Sequence, residues 1–366
     1  MSDKILVAMS GGVDSSVAAL LLKEAGHEIV GVSMQVWDYR QNGGCGSRAT
    51  CCSPDDFTDA RRVAGKIGVP YYVFDFEESF RKQVIDKFVN QYRSGFTPNP
   101  CVECNNKVKF RELRERAETI GFNRVATGHY ARIEKQGDHC RLLRGLDKTK
   151  DQSYFLYGLK REELPKTEFP VGHLTKEEVR AHARRHGLPV SDKAESQDIC
   201  FVSGSVAEFI EKQAGSAIKG HIVNRKGQVL GRHDGIHRFT VGQRRGLGIG
   251  GKDDPLYVLQ LDAEHGQVIV GEKEELEVEE FSVSEVNWIV EPAFPLRCIV
   301  QLRHRHAGVP VEVVLGDQNS VVVRFIKDWA PVAPGQAAVF YDLSNSEVLG
   351  GGAVSGFSCL EAHTGS

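Results

Sequence analysis

The chain has 366 residues, 41% hydrophobic and 26% charged, with a formal net charge of −3; this suffices for two or three globular cores and excludes a disordered or uniformly basic chain. No apolar run approaches the roughly 18 residues of a membrane-spanning helix, and the start MSDKILVAMSGG shows no basic leader, so a cytoplasmic protein without a membrane partner is expected. In that compartment the nine cysteines are expected as ligands or reagents rather than structural bridges.

In chain order, the first half alternates short β-rich runs with helical patterns: KILVAMS, then SSVAALLLKEAG, EIVGVSMQV, DDFTDARRVAGKIG, PYYVFDF, and a long helix ending near Gly95. Such alternation predicts a parallel sheet covered by helices. Val17, Leu20 and Leu21 predict one apolar stripe on the first helix. NRVATGHYARI supplies a further strand, and TKEEVRAHARRHG reads as a helix opened by Thr175 and stopped by Gly187. From about Gly220 the texture turns to short alternating strands such as HIVNRKGQVLG, PVEVVLGDQNSVVVRFI and QAAVFYD. The predicted division is an α/β domain over 1–205, a small β-rich domain over 206–280 and a C-terminal β-barrel over 281–366.

Charge is uneven. Residues 107–150 hold 12 Lys and Arg against 6 Asp and Glu, a local excess of +6. That is either a solvated surface or a contact zone for a phosphate backbone.

The string MSGGVDSS joins the first strand to the first helix, where a parallel sheet places a ligand against a helix N-terminus. Gly11 and Gly12 let backbone N–H groups approach an anion without a Cβ in the way. The Lys of a G-x-x-x-x-G-K-[ST] loop is missing, which suggests a loop that holds pyrophosphate as a leaving group. S-G-G-x-D-S-S resembles the PP-loop ATP pyrophosphatase motif. The resemblance implies an ATP site over Ala8, Met9, Ser10, Gly11, Gly12, Val13, Asp14, Ser15 and Ser16, with Ser10, Gly11, Gly12, Ser15 and Ser16 on the phosphates and Asp14 helping to organise Mg²⁺.

Two cysteines three apart in NPCVECN read, on spacing alone, as a metal clip, a disulfide or catalytic sulfur. With SGGVDSS before it and ESQDICFV after it, the segment TPNPCVECNNKVKF resembles the tRNA-specific 2-thiouridylases. ATGHYAR, KDQSYFLYGL, FTVGQRRGLGIGG and APGQAAVFYD extend the resemblance nearly end to end. It implies ATP-dependent replacement of O2 of the wobble uridine, position 34, by sulfur in tRNAs for Lys, Glu and Gln, with release of AMP and pyrophosphate. Cys200 would carry a persulfide received from a cysteine desulfurase or sulfur-relay protein. Cys104 would be the partner that ends in a disulfide with Cys200. Asn99, Pro100 and Cys101 match target-base contacts, and Met34 and Gly128 match adenosine contacts. His129, Lys150, Asp151, Gln152, Arg303, His304 and Gln336 match tRNA contacts.

Many members of that family carry Asp where this chain has Cys101. Three thiolates at 101, 104 and 200 leave a second reading, a 4Fe-4S cluster delivering sulfide. Cys45, Cys51 and Cys52 read as loop thiols, and Cys140, Cys298 and Cys359 as small buried hydrophobes. RHRH at 303–306, on a strand, would put Arg303 and Arg305 on one face and His304 and His306 on the other. GQRRGLGIGG, with Arg244 and Arg245, is an RNA-facing loop or a tight hairpin. Two other functions remain at this level. A PP-loop amidotransferase or synthetase would not need Cys104 and Cys200, and a non-enzymatic RNA-binding module leaves MSGGVDSS unexplained.

Overall fold

The computed structural model describes residues 3–37, 54–137, 139–194, 199–202, 204–215, 218–249, 255–317 and 319–357. Cys45, Cys51, Cys52 and Cys359 lie outside them. The chain forms two compact units. The first is residues 1–85, 100–203 and 346–348; the second is 86–99, 204–345 and 349–366.

The first unit is built on five parallel strands: β1 (Lys4–Ala8), β2 (Glu28–Gln35), β3 (Tyr71–Asp75), β4 (Arg124–Thr127) and, after a hairpin of β5 (Ala131–Gln136) and β6 (His139–Arg144), β7 (Thr167–Glu168). Their order is β3-β2-β1-β4-β7. The chain therefore leaves β1 toward β2 on one side and returns through β4 on the other, which opens a crevice at the carboxyl ends of β1 and β4. Ile5, Leu6 and Val7 are fully buried, as expected of a strand covered on both faces.

Helix α1 (Val13–Glu24) is buried more widely than one stripe. Val17, Ala18, Ala19, Leu20 and Leu22 lie in the core, while the predicted Leu21 is only half-buried. Residues of α2 (Pro54–Ile67) and of the helix Lys176–Arg185 share that core, so α1 is enclosed by helices as well as by the sheet. The helix Lys176–Arg185 has the predicted ends. Thr175 and Glu178 form a capping box, and Gly187 turns the chain at φ +59°.

A short segment from late in the chain completes the hairpin. Arg144 N–H donates to Ser346 O at 2.9 Å, Leu143 bridges Glu347, and the Arg141 guanidinium pairs with the Glu347 carboxylate.

In the second unit a mixed sheet comprises β8 (Gly220–Asn224), β9 (Val229–His233), β10 (Tyr257–Asp262) and β11 (Gln267–Gly271), ordered β10-β11-β8-β9. β9 and β10 are opposite edges. The connection between them, of which residues 242–249 of GQRRGLGIGG are described, therefore links opposite edges of the sheet rather than forming a tight hairpin.

A closed six-stranded barrel follows: β12 (Glu280–Trp288), β13 (Leu296–Gln301), β14 (Val309–Leu315), β15 (Val321–Phe325), β16 (Ala337–Tyr341) and β17 (Val348–Phe357), ordered β12-β15-β14-β13-β16-β17. Closure leaves no free edge. Val311, Val313, Val323, Cys298, Val300 and Phe340 fill its interior. Cys298 is the buried hydrophobe expected, its thiol pushed up to about 12 by burial. Cys140, on the hairpin strand β6, is only half-buried.

The RHRH segment is not a strand. β13 ends at Gln301 and β14 begins at Val309. The buried Gln301 amide donates to the carbonyls of Arg303 (3.0 Å) and His304 (2.8 Å), and His306 N–H closes the turn on Arg303 O (2.9 Å). Side-chain alternation therefore fails there, and Arg303, His304 and Arg305 all project as an exposed turn.

Among the described residues no helix is long and apolar enough to cross a membrane. Phe340, fully buried and stacked 5.3 Å from Trp288, is an anchor of the barrel. Phe340→Ala should cost about 3–5 kcal/mol, read as a lowered urea midpoint of the second unit's transition.

Candidate active site

The crevice between β1 and β4 is occupied by the glycine loop. Gly11 stands at φ +73°, and a Cβ there would lie 2.3 Å from Asp56 O. Gly128, just past β4, faces the first turn of α1, where a Cβ would lie 2.5 Å from Ser15 N. Both positions require glycine, and together they press the loop backbone into the switch point. Gly12 caps α1 without a side-chain hydrogen bond, so the first-turn N–H groups and the helix dipole are directed at an incoming anion.

The serines are already organised. Ser10 N–H donates to Ser15 Oγ (3.1 Å), and the Ser15 and Ser16 hydroxyls reach Gly12 O at 3.2 and 2.8 Å. Met9 and Val13 are core residues, so what they and the half-buried Ala8 offer a ligand is backbone. Met34, near the end of β2, is half-buried.

Two lysines that sequence reasoning missed reach the loop, each paired with carboxylates. Lys176 Nζ contacts both carboxylate oxygens of Asp14, at 2.7 and 2.8 Å, and Tyr130 OH donates to the same carboxylate at 2.7 Å. A signal was present. Lys176 follows an N-cap threonine, and a cation at a helix N-terminus opposes the dipole unless an anion compensates it.

Lys193 Nζ donates to Gly11 O (3.1 Å) and pairs with Asp56 (2.7 Å) and Asp59 (2.6 Å). Burial alone would lower its pKa, but hydrogen bonds to the two carboxylates raise it, and Lys193 stays charged. It fastens the loop to α2.

These contacts decide how metals fit. The Asp14 carboxylate is engaged by an ammonium and a phenol, so the residues suit a Mg²⁺ carried on phosphates rather than a preformed protein cage. Among the described residues no three His, Cys, Asp or Glu side chains gather at metal-binding spacing. Cys101, Cys104 and Cys200 are all described and are not gathered as such a group.

The cysteines occupy distinct settings in the first unit. Pro100 opens a helical turn, Pro100–Glu103, that continues as a wide i→i+5 helix over Cys104–Glu112. Cys101 is exposed and Cys104 is buried. Wide turns inside helices recur at functional sites. Asn105, beside Cys104, donates to Phe155 O at 3.1 Å. Cys200 is half-buried, and its neighbour Phe201 packs edge-on to Phe80 at 5.6 Å and against Trp37 at 6.5 Å.

The predicted tRNA contacts divide. Lys150 is half-buried, and Arg303 and His304 are exposed. Asp151 is buried and accepts from Gly145 N–H, Ser153 N–H, Ser153 Oγ and Arg144 (2.6–3.2 Å). Gln152 exchanges hydrogen bonds with the Tyr130 backbone. Gln336 donates to Thr97 O.

Of the twelve cations in 107–150, at least seven (Arg111, Arg114, Arg116, Arg124, Arg132, Arg141 and Arg144) pair with described carboxylates. The local excess in sequence is partly neutralised by Asp3, Asp151, Glu163, Glu168 and Glu347 from elsewhere.

His129 lies between Phe110 (5.8 Å) and Phe169 (6.0 Å), its Nδ1 2.7 Å from Thr127 Oγ1. Burial, then the charge of Lys109, pulls its pKa down to about 3. Its ring is therefore neutral rather than cationic near pH 7. Below pH 6.5 the unfolded chain takes up a proton that the folded imidazole refuses, so this residue's stabilisation is complete above 6.5 and is lost toward pH 3. Urea titrations at pH 7.5 and 5 should show His129→Gln reducing the acid-induced loss of stability by about 1–2 kcal/mol.

Residues 3–204 match the family model described as tRNA methyl transferase HUP domain. Residues 207–272 match a tRNA methyl transferase PRC-barrel domain, and 278–354 an aminomethyltransferase beta-barrel domain. The tRNA-specific 2-thiouridylase MnmA of Geobacter metallireducens is 52% identical, over 95% of this chain and 96% of its own. That of Geotalea uraniireducens is 50% identical over 95% and 94%. That of Leptospira interrogans is 44% identical over 96% and 94%.

Proposed function

The chain belongs to the tRNA-specific 2-thiouridylase family, and from that premise we propose that it uses ATP to replace O2 of the wobble uridine, position 34, with sulfur in tRNAs for Lys, Glu and Gln. The observation that carries the reading is the coexistence, in one unit, of an anion cradle of backbone groups at Gly11 and Gly12 with a buried Cys104 and an anchored Cys200. Methyl transfer needs neither the cradle nor the cysteines, and amine incorporation needs no sulfur nucleophile.

O2 of the uracil attacks the α-phosphorus, and the P–O bond to pyrophosphate breaks. Pyrophosphate is received by the loop N–H groups, with Lys176 beside Asp14 at the same helix end. Mg²⁺ bound to the phosphates would neutralise their charge. C2 is now activated, and the terminal sulfur of a Cys200 persulfide adds to it as AMP leaves with O2. The Cys104 thiolate then attacks Cys200 Sγ. The S–S bond breaks toward the base, leaving 2-thiouridine and a Cys104–Cys200 disulfide, and a dithiol reductant resets the pair. A cysteine desulfurase or a sulfur-relay protein supplies the persulfide.

In this reading Asn99, Pro100 and Cys101 receive the base once it is flipped from its stack. Lys150, Arg303 and His304 meet the tRNA, while Asp151 and Gln152 shape the loop that presents Lys150. The division at 1–205, 206–280 and 281–366 separates catalysis from two β-rich parts.

The test is a single turnover with iron-free protein carrying labelled persulfide, ATP, Mg²⁺ and unmodified tRNA, read by nucleoside mass spectrometry. Labelled 2-thiouridine is expected, and Cys200→Ser should lower its yield on the order of 10³-fold or more. Cys104→Ser should stall at a covalent protein–tRNA adduct that dithiothreitol releases as 2-thiouridine. Activity that returns only after iron–sulfur reconstitution would refute the persulfide route.

A further inference from the structure

We propose that Gln336 and Gly335 are positioning residues for the base-receiving segment, acting through the backbone of Thr97; this rests on the thiolation reading above.

The turn 333–336 and the segment 95–99 belong to the same unit. Thr97 N–H donates to Pro334 O at 2.8 Å, and the Gln336 side-chain amide donates to Thr97 O at 2.8 Å. Both backbone groups of one buried residue are thus held by a single barrel turn. The turn is itself fixed to β17, since Gly335 N–H donates to Val354 O (2.8 Å) and Val354 N–H to Gln336 O (2.9 Å). Gly335 stands at φ +87°, and a Cβ there would lie 3.0 Å from both Phe96 Cβ and Thr97 N. The approach is tighter than an ordinary Cβ contact. On the N-terminal side Gly95, at φ +80°, lies against β10, where a Cβ would be 3.1 Å from Leu261 O. The segment is pinned at both ends of a three-residue stretch.

The sequence after the clasp is Pro98-Asn99-Pro100. Proline fixes its own φ and keeps the residue before it extended, so Thr97 and Asn99 are both restricted. The position and direction of Thr97 are therefore passed to Asn99 with little slack. A site that must hold a flipped base within reach of sulfur loses rate steeply when a contact moves by an ångström. The Gln336 amide nitrogen, spent on Thr97 O, serves the reaction by fixing Asn99.

The full-length chain is compared with Gln336→Ala, Gln336→Glu and Gly335→Ala. Each is checked for an unchanged melting profile and read three ways: amide hydrogen exchange of 94–99 without tRNA, tRNA affinity, and single-turnover 2-thiouridine formation at saturating tRNA. Loss of one hydrogen bond should speed exchange in Gln336→Ala about 5–10-fold. The saturated rate should fall about 10-fold or more, with affinity changed less than about 3-fold. Gly335→Ala, which removes no side chain, should move all three in the same direction. The proposal is overturned if exchange does not change. It is also overturned if Gln336→Ala weakens tRNA binding while keeping the saturated rate and Gly335→Ala behaves as wild type, because Gln336 would then be a direct RNA contact. A wild-type chain that forms no 2-thiouridine while exchange still rises in the variants refutes the thiolation reading and leaves the clasp standing.

Discussion

Everything catalytic in this molecule depends on how closely two stretches of backbone approach each other at the end of β1. Gly128 stands where any side chain would strike Ser15 N, and Gly11 where any side chain would strike Asp56 O. Because those contacts are backbone on backbone, neither can be relieved by a rotamer change. The loop is thereby held open toward the crevice with its N–H groups unshielded by a capping side chain. Lys193 adds the complementary constraint from outside, tying Gly11 O to two carboxylates of α2. The cradle is assembled before any ligand arrives, which is what electrostatic preorganisation requires.

Charge is handled by placement rather than by quantity. The glycine loop carries no lysine of its own, yet Lys176 and Lys193 reach it from residues far along the chain. Conversely, the basic stretch 107–150 is partly offset by acids distant in sequence, including Asp3 and Glu347. Half-buried pairs of this kind organise loops and do little for long-range attraction of RNA. Net charge along a sequence window therefore says less about a binding surface than the tertiary partners of each cation do.

The fold was largely legible because its signals are local. Strand and helix runs alternate as the parallel sheet requires, and Thr175 and Gly187 mark helix ends by cap chemistry that acts over a few residues. The SGGVDSS loop was legible for the same reason. What sequence missed was tertiary. Leu21 yields its buried place to Leu22 because helices enclose α1 as well as the sheet. RHRH looked like a strand until a buried Gln301 captured two carbonyls and bent it into a turn. For the three thiols, spacing does not reveal that Cys101 faces solvent while Cys104 is enclosed. Asp151 looked available for RNA, though four donors within the protein already occupy it.

The contribution of residues 346–348 to the first unit has a consequence for synthesis. The β5–β6 hairpin takes a backbone partner from Ser346 and the counter-ion of Arg141 from Glu347, 206 residues further along the chain. A ribosome will have made residues 204–345 of the second unit before that partner exists, so the N-terminal unit emerges first but is completed only after them. Its incomplete hairpin must wait, solvated, through the synthesis of both β-rich parts. A fragment ending at residue 205 would keep the glycine loop and all three candidate cysteines yet lack the Ser346 and Glu347 contacts of that hairpin.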